Sequence, residues 1–203
     1  MPAIDGMFAH ASSEQPDLNI VGEKVALGPL RRDLLPVYTR WMNDFDVIRT
    51  LGVPLRPMTT QSEDAWLDRA IKDESDCHFT IYERATSRPI GNTSLNGIQH
   101  RHRTALFGLV IGEKDCWGKG YGTEVTRLML DYGFNGLGLH NITLTVIANN
   151  ERGLRAYTRV GFKLIGRRRE AFRVAERAFD VIYMDCLATE FSGWTLRPRL
   201  IDA

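Results

Sequence analysis

One segment in the middle of the chain, Trp117-Gly118-Lys119-Gly120-Tyr121-Gly122-Thr123, constrains the fold more than any other. Alternating glycines permit dihedrals closed to other residues and remove the side chains that would hold a ligand away. Thr104 to Ile111 before it reads as a strand. Gly120 to Phe134 reads as a helix, with Val125, Leu128, Met129 and Tyr132 at helical spacing on one side. A strand that runs through glycines into a helix leaves the N–H groups of the first helical turn unpaired, and the helix dipole adds positive charge there. Such a turn suits a phosphate or pyrophosphate, with Lys119 adding a full charge at the rim. A P-loop would need Ser or Thr after the lysine, and Gly120 stands there. A dinucleotide fingerprint would need an acidic residue about 20 positions on, and residues 138 to 144 hold no Asp or Glu. A glycine-rich turn with no ligand remains the alternative.

The rest of the chain reads as one mixed α/β (α+β) domain around a single sheet. Val25 to Leu30 is a strand, followed by a helix from about Asp33 to Met42 and a Pro/Gly loop over Leu51 to Met58. Thr60 is expected to cap a second helix reaching Lys72, with Glu63 as the return half of a capping box. Cys77 to Glu83, Ile90 to Ile98 and Thr104 to Ile111 read as strands joined by polar turns. Asn141 to Ala148 is a strand and Asn150 to Val160 a short helix ended by Gly161. Phe162 to Arg168 and Phe179 to Leu187 close the series, giving about seven strands. Residues 1 to 19 are expected to form a loose tail, 20 to 190 the domain, and 191 to 203 a C-terminal tail that includes Trp194 and Pro198.

With 203 residues, 43% apolar and 25% charged, the chain can bury its own core. A formal charge of +1 gives no whole-molecule reason to expect nucleic acid or membrane as partner. Cys77, Cys116 and Cys186 are odd in number and widely spaced, which predicts neither disulfides nor a metal site. With no signal-peptide pattern and no membrane-length apolar run, the expected setting is cytoplasmic.

A second motif lies downstream: Asn149-Asn150-Glu151-Arg152 opens a helix carrying Tyr157, and Gly161-Phe162 closes it. Taken with the glycine loop about 30 residues earlier, this resembles the GCN5-related N-acetyltransferases, and within them the branch of ribosomal-protein and polyamine acetyltransferases. Trp117 stands where the family often has a polar residue. The resemblance covers residues 20 to 188. It implies a mixed, mostly antiparallel twisted sheet with helices on both faces, splayed where acetyl-CoA binds, and it implies a homodimer that no residue pattern demonstrates.

Carried over, the resemblance implies that Leu109, Val110 and Ile111 line the cofactor cleft and offer N–H groups to the thioester carbonyl. Trp117, Gly118, Lys119, Gly120, Tyr121, Gly122 and Thr123 would hold the pyrophosphate, and Asn150 the pantetheine. Tyr157 would be the general acid that protonates the departing thiolate; its spacing alone equally fits a core residue. Glu113 ends the strand, where it can act as a base or stand as a solvated charge. Arg152, Arg155 and Arg159 share a helix face, either solvated or with Arg152 and Arg155 reaching the 3′-phosphate or adenine. Cys116 has no neighbour that would make it a catalytic thiol.

The acceptor would be bound by the first helices and facing strands, with Trp41, Asp44, Asp46 and Asn92 as candidates and the two aspartates offering charge to a cationic amine. Arg56, Glu63, Asp64 and Trp66 lie in the same region. His78, like Asn92, faces either cleft or core. The expected activity is transfer of an acetyl group to a primary amine, preferentially a protein α-amine, with a polyamine or aminoglycoside as the alternative. A non-catalytic acyl-CoA-binding module and an RNA-associated protein using Arg167-Arg168-Arg169 are the readings from other classes.

Overall fold

The computed structural model describes residues 15–53 and 55–193. Eight strands form one sheet: β1 (Ile20–Val21), β2 (Val25–Pro29), β3 (Cys77–Glu83), β4 (Arg88–Gln99), β5 (Thr104–Ile111), β6 (Asn141–Ile147), β7 (Lys163–Val174) and β8 (Arg177–Leu187). The count exceeds the expected seven because Ile20–Val21 is too short to show a period in sequence; Asn19 N–H already donates to Leu27 across this hairpin. The helices are α1 (Leu35–Met42), α2 (Phe45–Ile48), α3 (Thr60–Lys72), α4 (Tyr121–Asp131) and α5 (Glu151–Val160). A π-helical turn, Tyr132–Gly136, ends α4 where its glycines begin. Residues 1–14 of the expected N-terminal tail and 194–203 of the C-terminal one, Trp194 and Pro198 included, lie outside the described residues; Phe191 packs against Phe134.

The sheet order is β1-β2-β3-β4-β5-β6-β8-β7, and every neighbouring pair is antiparallel except β5 with β6. A parallel pair needs a crossover, and α4 supplies it. Pairing of β5 to β6 stops after Thr104↔Asn141, Ala105↔Ile142 and Leu106↔Thr143. Beyond Leu106, β5 stays on β4 up to Ile111, while β6 stays on β8 throughout. The two strands therefore part, and the backbone groups of Phe107 to Ile111 on that side lose their sheet partners.

Strand alternation assigns the two faces. Phe79 and Ile81 join the main core beneath α4, Phe79 meeting the Tyr132 ring edge-on at 5.4 Å. His78 and Thr80 point the other way, to Trp66 of α3 and Tyr38 of α1. A second, smaller cluster of Tyr38, Trp41 and Leu67 holds α1 and α3 together there. Helices thus cover both faces, and the split between β5 and β6 connects one face to the other.

Candidate active site

On the α4 face the glycine loop takes the shape its sequence requires. Gly118 and Gly120 have φ of 77° and 87°, a region that costs any residue with a Cβ about 1–2 kcal/mol. Neighbouring side chains brace the loop. Trp117 Nε1 donates to the Ile111 carbonyl at 2.8 Å, and Lys24 Nζ to the Lys119 carbonyl at 3.4 Å. Tyr121 donates its hydroxyl to Glu83 at 2.7 Å, a bond that pushes the phenol up to about 12. The Glu124 carboxylate accepts from the Glu23 and Lys24 backbone N–H groups, fixing the start of α4 to the first hairpin. The Arg152 guanidinium lies 4.0 Å over the Trp117 ring, which joins the loop to α5.

These elements enclose a cavity of about 430 Å³. Its lining holds Leu109, Val110, Ile111, Trp117, Gly118, Gly120, Tyr121, Gly122, Thr123, Asn150, Arg152 and Arg155 of the expected cofactor set, with Arg159 besides. No described Asp or Glu lines it. Asn150 caps α5, its Oδ1 accepting from Gly153 N–H at 3.0 Å, and Arg155 also pairs with Glu151 at 3.1 Å. Unpaired helix-start N–H groups, three arginines and an extended cleft beside β5 fit a long anionic ligand such as coenzyme A. Lys119 is the exception: its side chain borders a neighbouring hollow with Lys24, Glu83 and Arg84.

The second cavity, about 770 Å³, opens from the α1/α3 face. Trp41, Glu63, Trp66, His78, Asn92 and Val110 are among its walls. His78 packs edge-on against Trp66 at 5.8 Å, with Nε2 3.4 Å from Asp76. Trp41 is 2% exposed, and a Cβ on Gly112 would overlap its ring.

The two cavities share six residues: Thr50, Leu51, Leu109, Val110, Asn150 and Tyr157. Tyr157 thus stands at the junction, held edge-on against Phe107 at 6.1 Å and Phe162 at 6.0 Å. Its hydroxyl makes no hydrogen bond among the described residues, and burial pushes the phenol up to about 12. It therefore keeps its proton at neutral pH, the form in which a phenol can act as a proton donor.

Besides Lys119, three expected residues are not brought to either cavity. Glu113 is held at Oε1 by Trp41 Nε1 at 2.8 Å and by Arg40, so it secures the indole, and it lines neither cavity. Asp44 caps α2 and pairs with Lys114 at 2.7 Å, and Asp46 shares that lysine at 3.3 Å. The lysine holds the Asp44 carboxyl below the usual range, and the pair ties α2 to the segment before the loop. Cys116 is 1% exposed, and burial raises its thiol, in keeping with a structural role. Glu63 and Trp66, placed in the acceptor region by the sequence, and His78, left between cleft and core, all stand as cavity walls. The register of α3 sets Glu63 free for this wall: Thr59, not Thr60, caps the helix, with its hydroxyl accepting from Ser62 N–H. Glu63 is thereby released from a capping box.

The acetyltransferase (GNAT) domain family model matches residues 24–163. The chain belongs to this family. It is an N-acetyltransferase that takes its acetyl group from acetyl-CoA and transfers it to an amine. The N-acetyltransferase p20 of Bacillus licheniformis is 25% identical over 175 residues, covering 84% of this chain and 97% of that protein. The spermidine N(1)-acetyltransferase of Escherichia coli K12 is 30% identical over 142 residues, 70% of this chain and 74% of the relative. A solved structure of spermidine N-acetyltransferase from Vibrio cholerae, in complex with CoA and spermine, superposes with a TM-score of 0.76. It is 25% identical and covers 82% of this chain and 97% of that one. The match is to the GNAT family as a whole, and the narrower ribosomal-protein branch gains no support from it.

Proposed function

We propose that this enzyme acetylates a primary amine of a small polyamine, by direct attack within a ternary complex. The observation that carries the reading is the meeting of two cavities at Tyr157, one lined by the anion-binding loop and one entered from the opposite face. Two ligands brought end to end at one point need no covalent enzyme intermediate. The spermidine-acetylating relatives support a polyamine in place of the protein α-amine preferred from sequence.

In this reading the loop from Trp117 to Thr123, with Arg152 and Arg155, binds the coenzyme's phosphates. When bound, acetyl-CoA supplies a thioester carbonyl as electrophile. Backbone N–H groups of β5 beyond Leu106, left without a β6 partner, hydrogen-bond the carbonyl oxygen as negative charge grows on it. The amine reaches the junction from the α1/α3 side and must arrive without its extra proton, which passes to water in the cavity. A C–N bond forms and the C–S bond breaks. The sulfur takes the Tyr157 proton, and the proton that the nitrogen sheds on becoming an amide returns through cavity water to restore the phenol. Residues 20 to 190 carry the whole reaction. The free Cys77, Cys116 and Cys186 fit a reducing, cytoplasmic setting.

Free-thiol release from acetyl-CoA tests the reading, measured with spermidine, a simple alkylamine, an aminoglycoside and a peptide with a free N-terminus. Spermidine is expected to give the highest kcat/KM; fastest turnover on the peptide would restore the protein acceptor.

A further inference from the structure

We propose that Glu63 receives a second, non-reacting ammonium group of the acceptor and so selects amines that carry two or more positive charges. This rests on the polyamine reading and names the residue that enforces it.

Glu63 is 4% exposed, yet it borders the acceptor cavity. Its carboxylate makes no ion pair and no side-chain hydrogen bond among the described residues. The other acidic side chains of this region are all engaged: Asp64 and Asp68 by Arg32, Asp44 and Asp46 by Lys114, Glu113 by Arg40 and Trp41. An unpaired buried carboxylate is costly to maintain, and burial alone raises the Glu63 carboxyl above its usual range, with no cation offsetting it. The position is set by helix register, because Glu63 lies one turn before Leu67 on the buried side of α3.

The surroundings favour an ammonium group. Trp41 and Trp66 line the same cavity, and indole faces attract cations. Arg56 and Arg69 also border it, but both are exposed, where water and salt screen them. His78 is engaged with Asp76. Glu63 is absent from the six residues shared by the two cavities, so it lies away from the reacting nitrogen. It meets the far end of an extended acceptor, a charge that a simple monoamine lacks.

The test compares wild type with Glu63→Gln, which keeps the shape and removes the charge. For each, kcat/KM is measured with spermidine and with butylamine, and their ratio is taken. The variant's spermidine preference is expected to fall about 10- to 100-fold, mainly through KM, and Glu63→Asp to retain part of it. A ratio within about twofold of wild type would overturn the proposal. So would earlier thermal unfolding of Glu63→Gln, since removing an unpaired buried charge should leave stability equal or higher. Calorimetric titration of spermidine onto the CoA-loaded proteins separates this proposal from the reading beneath it. If wild type binds spermidine at least about tenfold more tightly than Glu63→Gln but does not acetylate it, Glu63 stands and the polyamine reaction fails. Equal binding in that case overturns both.

Discussion

In the proposed assignment, the donor half of the cleft is built mainly from backbone, and the acceptor half almost entirely from side chains. On the donor side, Gly118 and Gly120 turn the chain and α4 presents its first N–H groups, so the ligand meets peptide groups whose placement follows from two φ angles. On the acceptor side, Trp41, Glu63, Trp66, His78 and Asn92 come from four separate elements. The first arrangement tolerates little change of residue type and suits a constant ligand. The second can be rebuilt one side chain at a time, which suits an acceptor that differs among members of one fold.

If Tyr157 joins the two halves as proton donor, its loss should have the largest effect. Tyr157→Phe is expected to lower kcat by about 10²- to 10⁴-fold, read by thiol release with both ligands saturating. A phenol donates only while protonated, so activity limited by Tyr157 falls as pH rises through its pKa. With that pKa pushed up to about 12, wild-type kcat should show no loss from this group by pH 10, where an ordinary phenol would be half ionised. Gly120→Val should come next, raising the KM for acetyl-CoA by about tenfold or more through backbone strain alone; an unchanged KM would refute a backbone-made donor site. Arg152→Ala, which strips the cation from the Trp117 face, should raise that same KM about fivefold. The smallest effect is expected at Asp44→Asn, with the KM for the amine moving less than about twofold because this aspartate serves Lys114. A tenfold rise there would return Asp44 to the acceptor site.

The same division explains what could be read from sequence. Strand and helix order followed from periodicity, with β3 (Cys77–Glu83) and β5 (Thr104–Ile111) matching their expected limits and α3 ending at Lys72 as expected. The loop and the Asn150 to Phe162 segment were visible because each compresses its structural requirements into a few adjacent residues. Glu113, Asp44 and Asp46 misled because their chemical type fits an acceptor site, while their partners Arg40, Trp41 and Lys114 are distant in sequence or unmarked by any pattern. Glu63 was placed in the acceptor region but also given a competing local role. Thr60 and Glu63 have capping-box spacing, but Thr59 caps the helix.

Trp41 closes against Gly112 at the end of β5, borders the acceptor cavity and is fastened by Glu113. In the proposed assignment, one indole is therefore wall to the incoming amine and packing for the strand that leads into the glycine loop. A lineage or an engineer that trims Trp41 to admit a bulkier amine also loosens the approach to the coenzyme. New acceptors are reached more safely through α3, where Glu63 and Trp66 can change without touching β5.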